Sequence, residues 1–120
     1  MAVKIRKCVP DDAGFLAKSI LIAGRAHVLR GIWEAVLNIS EEECLHVLKH
    51  VAVTGIPHLF HYSCYLIAET ADSIPAGSLG GYEQRTHGYQ ALQQALPGVF
   101  KKLAMPETSF QNANERAAQI

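Results

Sequence analysis

A chain of 120 residues is enough for one domain with a modest core. Hydrophobic residues make up 49% and charged residues 18%, which suits a packed globular chain and argues against disorder. The formal net charge is zero, so no long-range field draws the chain to nucleic acid or acidic membranes.

The first element in chain order is a strand. Val3-Lys4-Ile5-Arg6-Lys7-Cys8 alternates apolar and charged residues, the pattern of a half-exposed strand and not of a signal peptide. Pro10 suits a first helical position, and Asp11 and Asp12 place negative charge at the positive end of the helix dipole. Val9, the implied cap, brings no side-chain acceptor. Leu16, Ile20 and Ala23 recur at helical spacing, which carries this helix to about Ala26. The apolar run near Ile20 to Ala23 is the longest in the chain and far too short to span a bilayer. A second short helix, Gly31 to Leu37, holds the only tryptophan, Trp33.

Ser40-Glu41-Glu42-Glu43 reads as a capping box, with Ser40 reaching forward and Glu43 reaching back. The helix it opens puts Cys44, Leu45, Leu48, Val51 and Ala52 on one face, expected to pack on the sheet, and Gly55-Ile56-Pro57 ends it. Tyr65 to Thr70 favours a strand, Ala71 to Pro75 a turn, and Ala76 to Tyr82 a return strand. Gly77, Gly80 and Gly81 in that return strand predict a bulge or a close backbone contact. Tyr89, Leu92, Leu96, Val99, Phe100 and Leu103 have helical spacing, with an interruption expected at Pro97-Gly98. Met105 to Asn114 reads as loop, with a last helix starting near Asn114.

These phrases, in this order, resemble the front half of the GNAT superfamily of N-acetyltransferases. Ile5-Arg6-Lys7-Cys8-Val9-Pro10-Asp11-Asp12-Ala13-Gly14-Phe15-Leu16 is similar to the family's opening strand and helix start. Tyr65-Leu66-Ile67-Ala68-Glu69 is similar to its apolar strand with an acidic end, and Pro75-Ala76-Gly77 to its return strand. Gly80-Gly81-Tyr82-Glu83 looks like a subgroup with a helical insertion at this point. The resemblance covers residues 1–83 and implies an α/β (α+β) partial GNAT fold. That fold is a three-stranded antiparallel sheet in the order β-α-α-β-β, with packed helices and a C-terminal helical extension over 84–120 in the same domain.

The implied activity is transfer of acetyl from acetyl-CoA to an amine acceptor, a small molecule or a peptide. In the family the general base and the pyrophosphate-cradling turn come from a later strand and helix. The expectation is therefore that the chain stops before that cofactor-binding half and is inactive alone, with catalytic residues unknown and no cofactor-binding residue present. Arg85-Thr86-His87-Gly88-Tyr89-Gln90 approaches the phosphate-turn pattern but ends in Gln, and reads as an ordinary loop before a helix.

Substrate-side candidates are His27 and Arg30, in the segment that walls the family's acceptor cleft, together with Trp33, Tyr82 and Glu83. Each has a plainer reading: a solvated loop for His27 and Arg30, a core or lid contact for Trp33, a solvated strand end for Glu83. Cys44, His46, His50, His58, His61 and Cys64 lie close in sequence, and His46 and His50 share a helix face. Lacking C-x-x-C or H-E-x-x-H, they read as surface histidines and not as a metal site. Cys64 reads as a buried strand thiol. Three cysteines, odd in number, suggest reduced thiols in a cytoplasm.

The alternative function is a non-catalytic α/β binding or interaction module. Strand 76–82 is glycine-rich and nearly uncharged, so it predicts a homodimer through that exposed edge. Leu92, Leu96, Val99 and Phe100 would be the competing cover.

Overall fold

The strand expected at the N-terminus forms over Lys4–Lys7 (β1) in the computed structural model, which describes residues 2–25, 30–106 and 108–119. A 3-10 turn, Pro10–Asp12, leads into α1 (Ala13–Arg25), followed by α2 (Ile32–Leu37) and α3 (Glu41–Val51). A second 3-10 turn, Tyr62–Cys64, precedes β2 (Tyr65–Glu69) and β3 (Pro75–Gly80). The chain then forms α4 (Gln84–His87), α5 (Tyr89–Lys102) and α6 (Ser109–Ala117).

The sheet has the order β1-β2-β3, antiparallel throughout. Arg6 pairs with Ile67 and Ile67 with Ser78; Lys7 pairs with Leu66 and Leu66 with Leu79. Paired residues share a face, so the register splits the sheet into two unlike surfaces. Ile67 is fully buried on the inner face, whereas Ile5, Leu66 and Leu79 stay exposed on the outer one. The expected bulge is a register shift at Ala68/Glu69. The expected close contact is at Gly80, where a Cβ would lie 2.6 Å from the Tyr65 ring.

Two local devices start the helices. Ser40 caps α3 as read, its hydroxyl accepting from the Glu43 N–H at 3.2 Å while the Glu43 carboxylate accepts from the Ser40 hydroxyl at 2.9 Å. Val9 brings no side-chain acceptor, and the carboxylate of Asp12 reaches back instead, accepting from the Val9 N–H at 2.9 Å. Asp12 also receives a two-pronged contact from Arg6, at 2.8 and 2.9 Å, and Arg6 Nε donates to Glu69 at 2.9 Å. One guanidinium thus ties β1, the entry of α1 and the end of β2 together. It holds the Asp12 carboxyl down at about 2.

The structure corrects several expectations. Three helices separate β1 from β2, the number read along the chain and one more than the β-α-α-β-β order counts. The buried face of α3 is Cys44, Val47, Leu48 and Val51, with Leu45 only partly covered, and it packs mainly on α1 and α5 instead of on the sheet. Ala23 is exposed; α1 buries Ala13, Leu16, Ala17, Ile20 and Leu21. Helix α5 runs unbroken through Pro97, because Pro97 and Gly98 fall on its solvent face, where a freed carbonyl can be hydrated. Residues 109–114, read as loop, are helical.

His58 and His61 are buried, against the surface reading. His58 Nε2 donates to the Val51 carbonyl at 2.8 Å and its Nδ1 accepts from the Phe60 N–H at 3.1 Å. His61 Nε2 donates to the Thr54 carbonyl at 3.0 Å. Both rings are neutral caps for the end of α3 and the loop after it, and burial pushes the His58 pKa down to about 4. His46 is exposed and His50 half-buried, as expected of that face.

Candidate functional site

A cavity of about 380 Å³ opens between α2, α5 and α6. Trp33 and Val36 line it from α2, Leu92, Leu96 and Phe100 from α5, and Phe110, Ala113 and Ala117 from α6. Phe60, from the loop before β2, meets Trp33 edge-on at 5.3 Å between ring centroids. Tyr89 and Ile32, about half exposed, also line it. No lining side chain carries a charge. The polar lining groups include the amides of Gln93 and Asn114, which bond to each other at 3.2 Å. An apolar chamber of this size with a few amide groups suits a small uncharged ligand, or the apolar portion of a larger one.

The local folding of α2 and α6 creates this space. Gly31 brings α2 tightly against the end of α1: a Cβ there would come within 2.6 Å of the Gly24 carbonyl oxygen. Its N–H donates to Glu34 at 3.1 Å, and Arg25 clasps the same carboxylate at 2.9 and 3.0 Å. The Arg25 guanidinium holds the Glu34 carboxyl below the usual carboxylate range. Arg25 also meets Glu41 at 2.8 Å, so α1, α2 and α3 share one ionic joint. At the other end of α2, Asn38 adopts a left-handed turn (φ 55°), and Arg116 of α6 donates to the Val36 and Leu37 carbonyls. Positive charge at a helix C-terminus fits the helix dipole.

The candidate residues are not gathered into one place. Trp33 lines the cavity. Arg30 is exposed, with Nη2 donating to the Glu34 carbonyl at 3.0 Å and to Asn38 Oδ1 at 3.1 Å, which binds it to α2. Tyr82 and Glu83 are exposed between β3 and α4, outside the cavity lining. The Glu83 carbonyl accepts from the His87 N–H at 2.8 Å, so its backbone starts α4. His27 lies outside the described residues.

The aromatic residues Phe60, Tyr89, Phe100 and Phe110 and the clasp residues Arg25, Glu34 and Arg116 were not among the candidates. Phe110, Ala113 and Ala117, at i, i+3 and i+7, held the one signal that could have found the α6 wall.

Other chemistry is weak. Burial raises the Cys8 and Cys44 thiols to about 11, far from a thiolate nucleophile. Cys64 is half-buried in the 3-10 turn before β2 rather than in the strand, and its thiol, also raised by burial, donates to the His58 carbonyl at 3.4 Å. Among the described residues, no three His, Cys, Asp or Glu side chains converge to hold a metal ion, and no helix is long and apolar enough to cross a membrane. The near-match Arg85 to Gln90 is not a loop: Gln84 to His87 form one helical turn folded against Gly88. A Cβ at Gly88 would strike the Gln84 carbonyl oxygen at 2.4 Å. That glycine serves the α4–α5 joint.

No protein-family model and no curated protein sequence matches this chain. Among solved structures, the crystal structure of an acetyltransferase has the same fold, with a TM-score of 0.68 at 22% identity over 87% of this chain. The match covers 51% of that protein, so the chain spans about half its length. The architecture is therefore a mixed α/β, acetyltransferase-like fold built on a three-stranded antiparallel sheet.

Proposed function

We propose that this chain is the N-terminal, acceptor-side portion of an acetyltransferase of the GNAT type, moving acetyl from acetyl-CoA to an amine. The observation that carries this reading is the fold shared with a solved acetyltransferase over 87% of the chain. The Trp33 cavity would take the apolar part of the amine, and Arg30, just before α2, would meet an anionic group of the acceptor outside it. Acetyl-CoA would be held by segments beyond these residues, since Gly88 is taken up by the α4–α5 joint and the chain matches about half of the similar acetyltransferase. Three free cysteines support a reducing, cytoplasmic setting.

The test is to capture the native polypeptide that carries this sequence and assay release of free CoA thiol from acetyl-CoA across a panel of primary amines. Amine-dependent release, lowered by Trp33→Ala through KM, supports the reading. No release with any amine overturns it.

A second reading is a non-catalytic binding module on the same fold. What favours it is the cavity itself, which is lined by no carboxylate, histidine or thiol that could move a proton. Ligand binding at Trp33 together with silence in the thiol assay would establish this alternative.

A further inference from the structure

Two carboxamides stand in the wall of the chamber between α2, α5 and α6, Gln93 on α5 and Asn114 on α6. Gln93 Nε2 donates to Asn114 Oδ1 at 3.2 Å, and among the described residues neither side chain makes another hydrogen bond. A primary amide carries two N–H donors and a carbonyl with two lone pairs. One shared bond therefore leaves the Gln93 carbonyl oxygen and the Asn114 amino group unused. The pair offers one acceptor and one donor whichever amide donates.

Other polar groups nearby are engaged or turned away. The Val36 and Leu37 carbonyls at the end of α2 accept from Arg116. A Cβ at Gly24 would lie 3.2 Å from Trp33 Cδ1 and 3.8 Å from its Nε1, so the N–H edge of the indole faces α1. Tyr89, more than half exposed, stands at the rim. With no charged side chain in the lining, an ionised group would lose its hydration there and gain no counter-charge. The walls favour a flat guest. Trp33 meets Phe60 edge-on, and Phe100 meets Phe110 at 6.2 Å between centroids and 60° between planes. A further ring gains from such neighbours beyond the area it buries.

We propose that the chamber takes an aromatic ring bearing a neutral hydroxyl, a phenol in the simplest case. One hydroxyl supplies both partners that the amide pair lacks. Its O–H donates to the unused amide carbonyl, and its lone pair accepts from the unused amide N–H. The ring itself lies among the aromatic side chains. In an amine acceptor, the phenolic end enters the chamber and the amino group stays outside. This selectivity takes from the reading above only that the chamber holds ligand, and not acetyl transfer itself, so rings without an amine test it.

The native polypeptide that carries this sequence can be titrated with p-cresol, 4-methylanisole and toluene while the Trp33 indole N–H resonance is followed. p-Cresol donates and accepts, 4-methylanisole only accepts, and toluene does neither. p-Cresol should bind about fivefold tighter than toluene, the order of one net hydrogen bond, with 4-methylanisole closer to toluene. The anion 4-methylbenzoate should leave the resonance unmoved. Gln93→Met and Asn114→Leu keep side-chain size while removing the amide. Each should retain toluene binding and lose the preference for p-cresol. Toluene binding reports an intact chamber in each variant, so should one fail to fold, the other decides. Equal affinity of the wild type for p-cresol and toluene overturns the hydroxyl selectivity, as does a preference that survives either substitution. Silence toward every probe overturns the use of the chamber itself, whatever the thiol assay returns.

Discussion

The seam between α1 and α3 and the space between α2, α5 and α6 draw on much the same apolar alphabet, yet one is solid and the other hollow. Leu16, Leu21, Cys44, Leu48 and Val51 are 0–2% exposed, aliphatic or thiol side chains that line no cavity; the groove of about 620 Å³ at the outer edge of this seam is walled by others, Gly14, Lys18, Glu42 and His46 among them. Around the cavity, the walls are rings: Trp33, Phe60, Phe100 and Phe110. Flat, rigid side chains on three helices and a loop do not interdigitate as branched aliphatic ones do, so space remains. Stability should therefore concentrate in the first region and ligand capacity in the second.

The largest effect should come from the seam. Leu48→Ala removes a fully buried side chain and should cost about 2–5 kcal/mol by urea denaturation. A loss below about 0.5 kcal/mol, the size of a surface substitution, would erase the distinction between the two regions.

Acid should act next. His58 titrates near 4 in the folded chain against an ordinary value of 6.5, so the unfolded state binds the extra proton first. The stability its neutral form confers is complete above about pH 6.5. It drains away as pH falls toward 4, by about 3 kcal/mol. Asp12, held near 2, loses its contribution only below about 3.8. Denaturant midpoints measured from pH 7 to 3 should fall first in the histidine window, and flat midpoints down to pH 4 would refute the caps.

Phe110→Ala tests the hollow side. The ring is half-buried beside space that already exists, so the loss should be smaller than at Leu48, at most about 2 kcal/mol. A loss as large as that of Leu48→Ala would mean that the aromatic wall is structural core.

The smallest change should be Ala113→Leu, which grows into the cavity and should shift stability by less than about 1.5 kcal/mol. It should nonetheless abolish the response of the Trp33 indole N–H resonance to toluene, a probe of the chamber. An undiminished response would place toluene elsewhere.

Much of the architecture was legible because its signals are local. The alternation in β1, the Ser40 box of α3 and the Val/Ile/Leu wording of β2 each specify an element within a few residues. What escaped depends on partners far along the chain. Helix α6 begins Ser-Phe-Gln-Asn-Ala-Asn, polar and rich in weak helix formers, and it is stabilised by the seat of Phe110 and Ala113 against α2 and α5. The histidines at 58 and 61 look like surface residues until the carbonyls of Val51 and Thr54 are brought to them by the turn of the chain. Pro97 breaks a helix on paper; on the wet side of α5 it does not. Of the candidate site, only Trp33 could be named in advance. The chamber around it is assembled from four segments, one of which read as loop.

The two ends of α3 are fastened by different chemistry. At the start, Ser40 and Glu43 hold each other without help from a histidine. At the end, an imidazole that must stay neutral takes the Val51 carbonyl, and a second takes Thr54. Acid therefore forces charge onto a buried ring at one end alone. The helix should unravel from Val51 backward while its first turn holds, releasing the segment from Ala52 to Cys64 and, with it, the Phe60 ring that closes one side of the chamber. Ligand retention in the cavity would then report the charge state of a histidine that never touches the ligand.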